Sequence, residues 1–72
     1  MNLDELYELA NKANDACEVN NSDTRYWIND DNPNDVRFFI CNDIVEMENI
    51  DEVSEKEFVS RIKRFIKWKR FL

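Results

Sequence analysis

The sequence predicts a small α+β domain spanning residues 1–72, with two helices flanking three antiparallel strands in the order α-β-β-β-α. Apolar residues recur at helical spacing near both ends of the chain, while the middle is rich in alternating β-branched and aromatic residues. Clusters of asparagine and aspartate separate these segments and mark turns. We therefore expect a three-stranded antiparallel meander with both helices packed on one face of the sheet.

The first helix is predicted over residues about 2–18. Asn2 is a suitable N-cap, and Glu5 stands three positions later in a capping-box arrangement. A polar run over residues 20–23 should end the helix, because a chain without glycine uses asparagine where the backbone turns left-handed. The apolar face of this helix comprises Leu3, Leu6, Tyr7, Ala10, Ala13 and Cys17.

Two strands are predicted next, over residues about 24–28 and 36–41, joined by a polar loop. Strand alternation places Tyr26 and Ile28 on one face of the first strand and Trp27 on the other. The second strand directs Val36, Phe38 and Ile40 to a common face.

A third strand is predicted over residues about 44–48, after a two-residue turn at Asn42 and Asp43. This register makes one face wholly apolar and adds a pair of opposite charges on the other face. An alternative interpretation takes residues 44–53 as a short helix or an irregular segment. The predicted cross-strand pairs are Cys41 with Ile44, Ile40 with Val45, Phe38 with Met47, and Arg37 with Glu48.

The last helix is predicted over residues about 55–71. Ser54 and Glu57 form a capping-box pattern, and Val53 and Phe58 occupy the positions of a hydrophobic staple. The side of this helix that should cover the sheet comprises Phe58, Val59, Ile62, Phe65, Ile66 and Leu72.

Charge is divided unequally along the chain. Residues 58–72 carry six bases and no acid, whereas residues 1–57 carry sixteen acids and four bases, so charges of +6 and −12 sum to the net −6. A division of this kind bears on partners and solubility more than on fold.

The last helix offers a basic-aromatic surface, in which two aromatic residues project beside arginines and away from the centre of the apolar face. Such a surface can bind a protein groove, nucleic acid, an anionic membrane or a second copy of the chain. The structural alternative is that the aromatic rings cover the sheet edge or the first helix while the bases form a solvated rim. The candidate residues are Arg61, Arg64, Lys67, Trp68 and Phe71.

A second candidate contact surface is acidic. Carboxylates at this density attract a basic protein and repel nucleic acid. The alternatives are a purely solubilising role, or pairing with the protein's own basic helix, where each exposed pair is worth about 0–1 kcal/mol. The candidate residues are Asp30, Asp31, Glu46, Glu48, Asp51 and Glu52.

No catalytic, cofactor or metal signature is found. The chain has no histidine and no glycine, and Cys17 and Cys41 are too far apart in sequence for a CxxC motif. The spacing of Asp30, Asn32 and Asn34 resembles the start of a calcium loop, but Asp35 stands where that loop requires glycine. The acidic N-terminus is unlike a signal peptide, which favours the cytoplasm.

Together these observations predict a small acidic protein without enzymatic activity or cofactor that binds another protein. In size and composition it is similar to small acidic phage proteins that occlude host machinery, which implies an inhibitor or accessory factor. Two alternatives stay open. One is a nucleic-acid-binding accessory protein that uses the basic-aromatic helix, and the other is a homodimer with those aromatic residues as its self-interface.

Overall fold

A computed structural model describes residues 1–69, with side chains through residue 67. The order α-β-β-β-α and the antiparallel sheet of order β1-β2-β3 confirm the predicted fold class. The elements are α1 (Leu3–Val19), β1 (Arg25–Asn29), β2 (Arg37–Asp43), β3 (Glu48–Val53) and α2 (Glu55–Lys69).

Side-chain caps begin both helices where the sequence predicts. The Asn2 side chain accepts a hydrogen bond from the Glu5 backbone N–H at 2.9 Å, and the Glu5 carboxylate accepts one from the Asn2 backbone at 3.4 Å. At α2, the Ser54 hydroxyl oxygen accepts from the Glu57 N–H at 3.1 Å. After α1, Asn21 adopts a φ of 54°, so asparagine takes the left-handed position that glycine often occupies.

Both helices bury their apolar sides on the same face of the sheet. Helix α1 contributes two small residues to this core, since Ala10 and Ala13 are buried. Leu3, Tyr7, Val59, Phe65 and Ile66 pack around this core as partly buried residues. The core comprises Leu6, Ala10, Ala13, Cys17, Tyr26, Ile28, Phe38, Ile40, Phe58 and Ile62.

Helix α1 runs antiparallel to β1, as two contacts show. Asn14 binds the backbone of Tyr26 twice: its Nδ2 donates to the carbonyl and its Oδ1 accepts from the N–H, both at 2.8 Å. Earlier in the helix, Tyr7 lies beside Asp30, which follows β1. The N-terminus of α1 therefore lies at the end of the sheet where the β1–β2 loop is.

Helix α2 runs in the same direction as α1. Its Phe58 ring packs on Phe38 near the start of β2, at a centroid distance of 5.1 Å. Seven residues later, Phe65 packs on Tyr26 near the start of β1, at 6.0 Å. Because β1 and β2 are antiparallel, this order makes α2 antiparallel to β1 and parallel to α1.

The predicted position of the third strand is wrong. The turn lies at residues 44–47, not at Asn42 and Asp43, and β3 covers Glu48–Val53 instead of 44–48. The alternative of a helix or irregular segment over 44–53 is also wrong. The observed partners are Cys41 with Ile50, Ile40 with Asp51, Phe38 with Val53, Phe39 with Glu52, and Asp43 with Glu48.

The observed register pairs the chain with β2 almost to the start of α2. Because β3 extends to the residue before Ser54, residues 50–53 pair with β2 instead of forming an unpaired connection. The Asn42 side chain donates to the Asn49 carbonyl at 3.1 Å, and the Ile44 N–H donates to the Asp23 carbonyl at 2.8 Å. The first bond involves Asn42 and the second the residue after Asp43, and Asp43 itself pairs with Glu48, so both residues of the predicted turn lie in β2.

Candidate functional site

One face of the sheet carries apolar side chains that the helices do not cover. Directly opposite residues of an antiparallel pair point to the same face, so the pairs Trp27 with Phe39 and Cys41 with Ile50 lie together. None of these four residues belongs to the core beneath the helices. We call this surface the open face.

A stacked aromatic pair lies at the middle of the open face. The Trp27 and Phe39 rings are 5.8 Å apart between centroids and inclined by 28°. Both side chains are only partly buried. Since each ring rises from a hydrogen-bonded strand and supports the other, the pair presents a pre-positioned apolar surface to solvent.

Beside the aromatic pair, the open face continues onto β3. Cys41 is fully buried in the central strand, and its thiol lies 3.5 Å from the Glu48 carbonyl oxygen, to which it donates. Its cross-strand neighbour Ile50 is 42% exposed. A large aliphatic side chain therefore faces solvent on the β3 side of the open face.

The β2–β3 turn, residues 44–47, adds further exposed apolar surface, and we call it the hairpin tip. Val45 is 72% exposed and Met47 is 55% exposed. Met47 also adopts a φ of 55°, a left-handed conformation that costs a non-glycine residue about 1–2 kcal/mol. The Asp43 carboxylate, which accepts from the Glu46 N–H at 3.1 Å, holds the turn in place.

Arg37 connects the open face to the acidic loop beside it. Its guanidinium contacts Asp35 at 3.1 Å and Glu52 at 3.4 Å, and all three side chains are about half exposed. Hydrogen bonding and charge attraction from Asp35, with a further contribution from Glu52, raise the pKa of Arg37 above its ordinary value. The predicted partner of Arg37 was Glu48, so the shifted register replaces one β3 acid by another.

The structure distributes the predicted acidic surface over separate places. Asp30 and Asp31 lie in the β1–β2 loop near Tyr7, where burial and then the hydrogen bond and charge of Asp30 raise the tyrosine pKa. Glu46 belongs to the hairpin tip, and Glu48 and Glu52 lie on the open face. Asp51 is opposite Ile40, on the face that the helices cover, and its carboxylate accepts from Asn42 at 3.4 Å.

The predicted basic-aromatic surface is described only in part. Arg61 is partly buried, close enough to Tyr26 to affect that residue's pKa, and Arg64 and Lys67 are exposed. The Trp68 side chain and Phe71 lie outside the described residues, as do Arg70 and Leu72. Among the side chains of residues 1–67, no ion pair joins α2 to an acid, so self-neutralisation of the two charged regions is not observed there.

Sequence reasoning did not select the open face as a site. The available signal was the alternation along β1, which places Trp27 on the face opposite to that of Tyr26. Its meaning depends on which face the helices cover and on the true position of β3. Phe39 and Ile50 join Trp27 only in the observed register.

No family model, no curated protein and no solved structure matches this chain. Within residues 1–69, neither helix has the length and apolar character needed to cross a membrane. The described residues also contain no cluster of three or more acidic, cysteine or histidine side chains arranged to hold a metal ion.

Proposed function

We propose that this protein acts by binding another protein through the open face and the hairpin tip. The observation that carries the proposal is the position of the stacked Trp27 and Phe39 rings on a sheet face without a helix. Ile50 on the same face and Val45 and Met47 in the hairpin tip add exposed apolar side chains. Exposed apolar patches of this kind mark interaction sites more often than scattered apolar residues do.

The residue types of this surface support a protein as the partner. Tryptophan is enriched among the residues that dominate binding energy, and aromatic residues and methionine are enriched at protein interfaces generally. A standard interface takes about 800 Å² from each partner, roughly a sixth of this protein's 5129 Å² of accessible surface. The face of a three-stranded sheet supplies only part of that area, so we include the hairpin tip in the interface.

In this proposal the chain works as an inhibitor or accessory factor and performs no chemistry of its own. Its open face covers a surface of the partner, and the helices hold the strands that present that face. Trp27 and Phe39 keep their positions before binding, so little conformational entropy is lost when the complex forms.

A matched pair of valine substitutions tests the proposal. Val45 at the hairpin tip and Val19 at the end of α1 are 72% and 73% exposed, so Val→Thr removes the same apolar group from equally open positions. We expect affinity capture from a lysate of the producing cell to recover a protein with the wild type and with Val19→Thr. Recovery should fall several-fold with Val45→Thr.

The double variant Trp27→Thr and Phe39→Thr extends this test to the centre of the open face. Threonine suits an exposed strand, so circular dichroism should still show the folded chain. We expect loss of the captured protein. Equal capture by the wild type and the double variant, with both folded, would contradict the open face as the binding surface.

A second candidate function is nucleic-acid binding by α2. Lys63, Arg64 and Lys67 are exposed and, among the described residues, form no ion pair with an acid. If phosphates bind there, affinity for a labelled oligonucleotide should fall steeply as salt rises, and Arg64→Glu should abolish it. Binding that does not depend on salt, or that survives Arg64→Glu, would contradict this candidate.

A further inference from the structure

We infer that the surface recognised by the open face is basic, with an apolar side chain of the partner seated on Trp27 and Phe39 and lysine or arginine residues beside it. This inference rests on the proposed protein binding and adds the chemistry of the partner. The geometry points to it because the apolar side chains are bordered along β3 by carboxylates that outnumber the bases near them.

The acids of this border follow the β3 side of the open face and continue to the hairpin tip. Glu48 and Glu52 lie on either side of Ile50 along β3, and Glu52 is directly opposite Phe39 of the open face. Asp43 is directly opposite Glu48, and Glu46 stands in the tip. Four carboxylates therefore border one side of the apolar surface.

The two arginines on β1 and β2 offset this border only in part. Arg37 forms ion pairs with Asp35 and with Glu52, which is one of the border acids. The Arg25 guanidinium donates to the carbonyl oxygens of Ser22 and Thr24, at 2.6 and 2.7 Å, and these neutral partners leave its positive charge in place. Four border carboxylates against two arginines leave an excess of two negative charges among these described residues, which favours a positively charged partner.

The edge of β3 is a poor place for the partner to add a strand. Asn49 has a φ of 55° within β3, which interrupts the extended backbone that strand pairing requires. Acidic side chains along the same strand further oppose pairing with another acidic strand. We therefore propose docking onto the open face, and not addition of a strand to the edge of β3.

The same charges disfavour two other occupants. Phosphates of a nucleic acid would meet the carboxylates of β3, and like charges repel. Two open faces from two copies would bring two sets of these acids into one interface. Self-association could instead place α2 of one copy on the open face of another. Light scattering, which measures the mass in solution, tests this arrangement.

Fluorescence of Trp27 provides a direct readout of the open face. The chain contains two tryptophans, so in the Trp68→Phe variant the tryptophan emission, excited selectively over that of the two tyrosines, comes from Trp27 alone. The probes are three synthetic amphipathic peptides of equal length, built from leucine with lysine, leucine with glutamate, and leucine with serine. We expect a saturable change in emission with the leucine-lysine peptide, at least about tenfold tighter than with the leucine-glutamate peptide.

Charge variants separate recognition at this face from attraction by the net charge of −6. Glu48→Gln with Glu52→Gln removes two charges from the open face. Glu8→Gln with Glu18→Gln removes two exposed charges from α1. We expect the substitutions on the open face to lower the affinity for the leucine-lysine peptide about fivefold or more. The substitutions on α1 should lower this affinity less than about twofold.

Each result decides between the inference and the function on which it rests. Equal weakening by the two charge pairs, or equal affinity for the lysine and glutamate peptides, would overturn the basic partner. If Trp27→Thr with Phe39→Thr abolishes capture of the cellular protein but Glu48→Gln with Glu52→Gln does not, protein binding stands and the basic partner fails. If neither variant changes capture, both fail. A mass that rises with concentration in light scattering, and falls after Glu48→Gln with Glu52→Gln, would assign the open face to a second copy.

Discussion

The two faces of the sheet are built from neighbouring residues but experience different environments. Tyr26 and Phe38 are buried beneath two helices, whereas Trp27 and Phe39, one position further along each strand, are only partly buried. Each face has aromatic contacts, with Phe38 packed on Phe58 and Phe39 packed on Trp27. The difference is therefore the cover that the helices provide, and not the type of residue.

This difference assigns separate tasks to the faces. Removing apolar surface from water on the covered face drives folding. The open face contributes less to folding because its side chains stay partly in water in the free protein. A partner that covers it gains the hydrophobic stabilisation still available there.

The largest contrast should come from two adjacent phenylalanines. Phe38→Ala removes a buried ring from the core and should cost about 3–5 kcal/mol, which is comparable with the whole stability of a domain this small. Phe39→Ala removes a partly buried ring and should cost about 1 kcal/mol, mostly its stacking on Trp27. Urea denaturation followed by circular dichroism measures both. Similar losses would mean that the open face is as important to folding as the covered one.

A smaller effect is expected at the polar link between α1 and the covered side of the sheet. Asn14→Ala removes both hydrogen bonds to the Tyr26 backbone and should cost about 1–3 kcal/mol. Asn11→Ala, an exposed asparagine on the same helix, is the control and should change stability by less than about 0.5 kcal/mol. If thermal denaturation shows equal losses, the Asn14 contact does not fix α1 on β1.

Substitution of Met47 in the hairpin tip should raise the stability of the fold and weaken binding. Met47→Gly relieves the left-handed backbone strain and should raise stability by up to about 1 kcal/mol, while it removes an exposed apolar side chain. The captured protein should bind more weakly. Met47→Asn, which tolerates the same φ but is polar, should give the same loss of binding. Retained binding in both variants would remove Met47 from the interface.

The smallest expected effect is a change in the alkaline stability of the covered side. Burial, opposed in part by Arg25, raises the pKa of Cys17 above its ordinary value of 9.0. The unfolded chain therefore loses this proton first, so stability is complete below pH 9 and falls as the pH rises beyond it. Burial also raises the pKa of Tyr26, which ionises near pH 10 in the unfolded chain. In the Cys17→Ala variant, the loss of stability should therefore begin nearer pH 10. Denaturation midpoints between pH 8 and 11 measure the onset, and an unchanged onset would exclude Cys17 as its cause.

Much of the fold was predictable because its signals are local. The capping residues Asn2 and Ser54 lie within one turn of the backbone groups that they bind. Alternation alone predicts that Tyr26 and Ile28 of β1 point to the same face. The candidate site was less predictable, since pairing between strands decides that Phe39 and Ile50 share a face with Trp27.

The third strand shows why a consistent local pattern can mislead. The predicted pairing of Ile40 with Val45 gave an apolar face, but the observed partner of Ile40 is Asp51. The hydrogen bond from the Ile44 N–H to the Asp23 carbonyl joins residues 21 positions apart, so its contribution could not be inferred from the turn sequence.

The amino-acid sequence by itself determined the order of the elements, the caps that begin both helices, and the inward-facing residues of β1 and β2. These depend on the spacing and side-chain chemistry of residues close together in the chain. Only the tertiary structure decided where β3 pairs and that Trp27, Phe39 and Ile50 share a face without a helix. Both outcomes depend on contacts between distant segments, where the gain from burying apolar groups and satisfying backbone hydrogen bonds is summed over the whole fold.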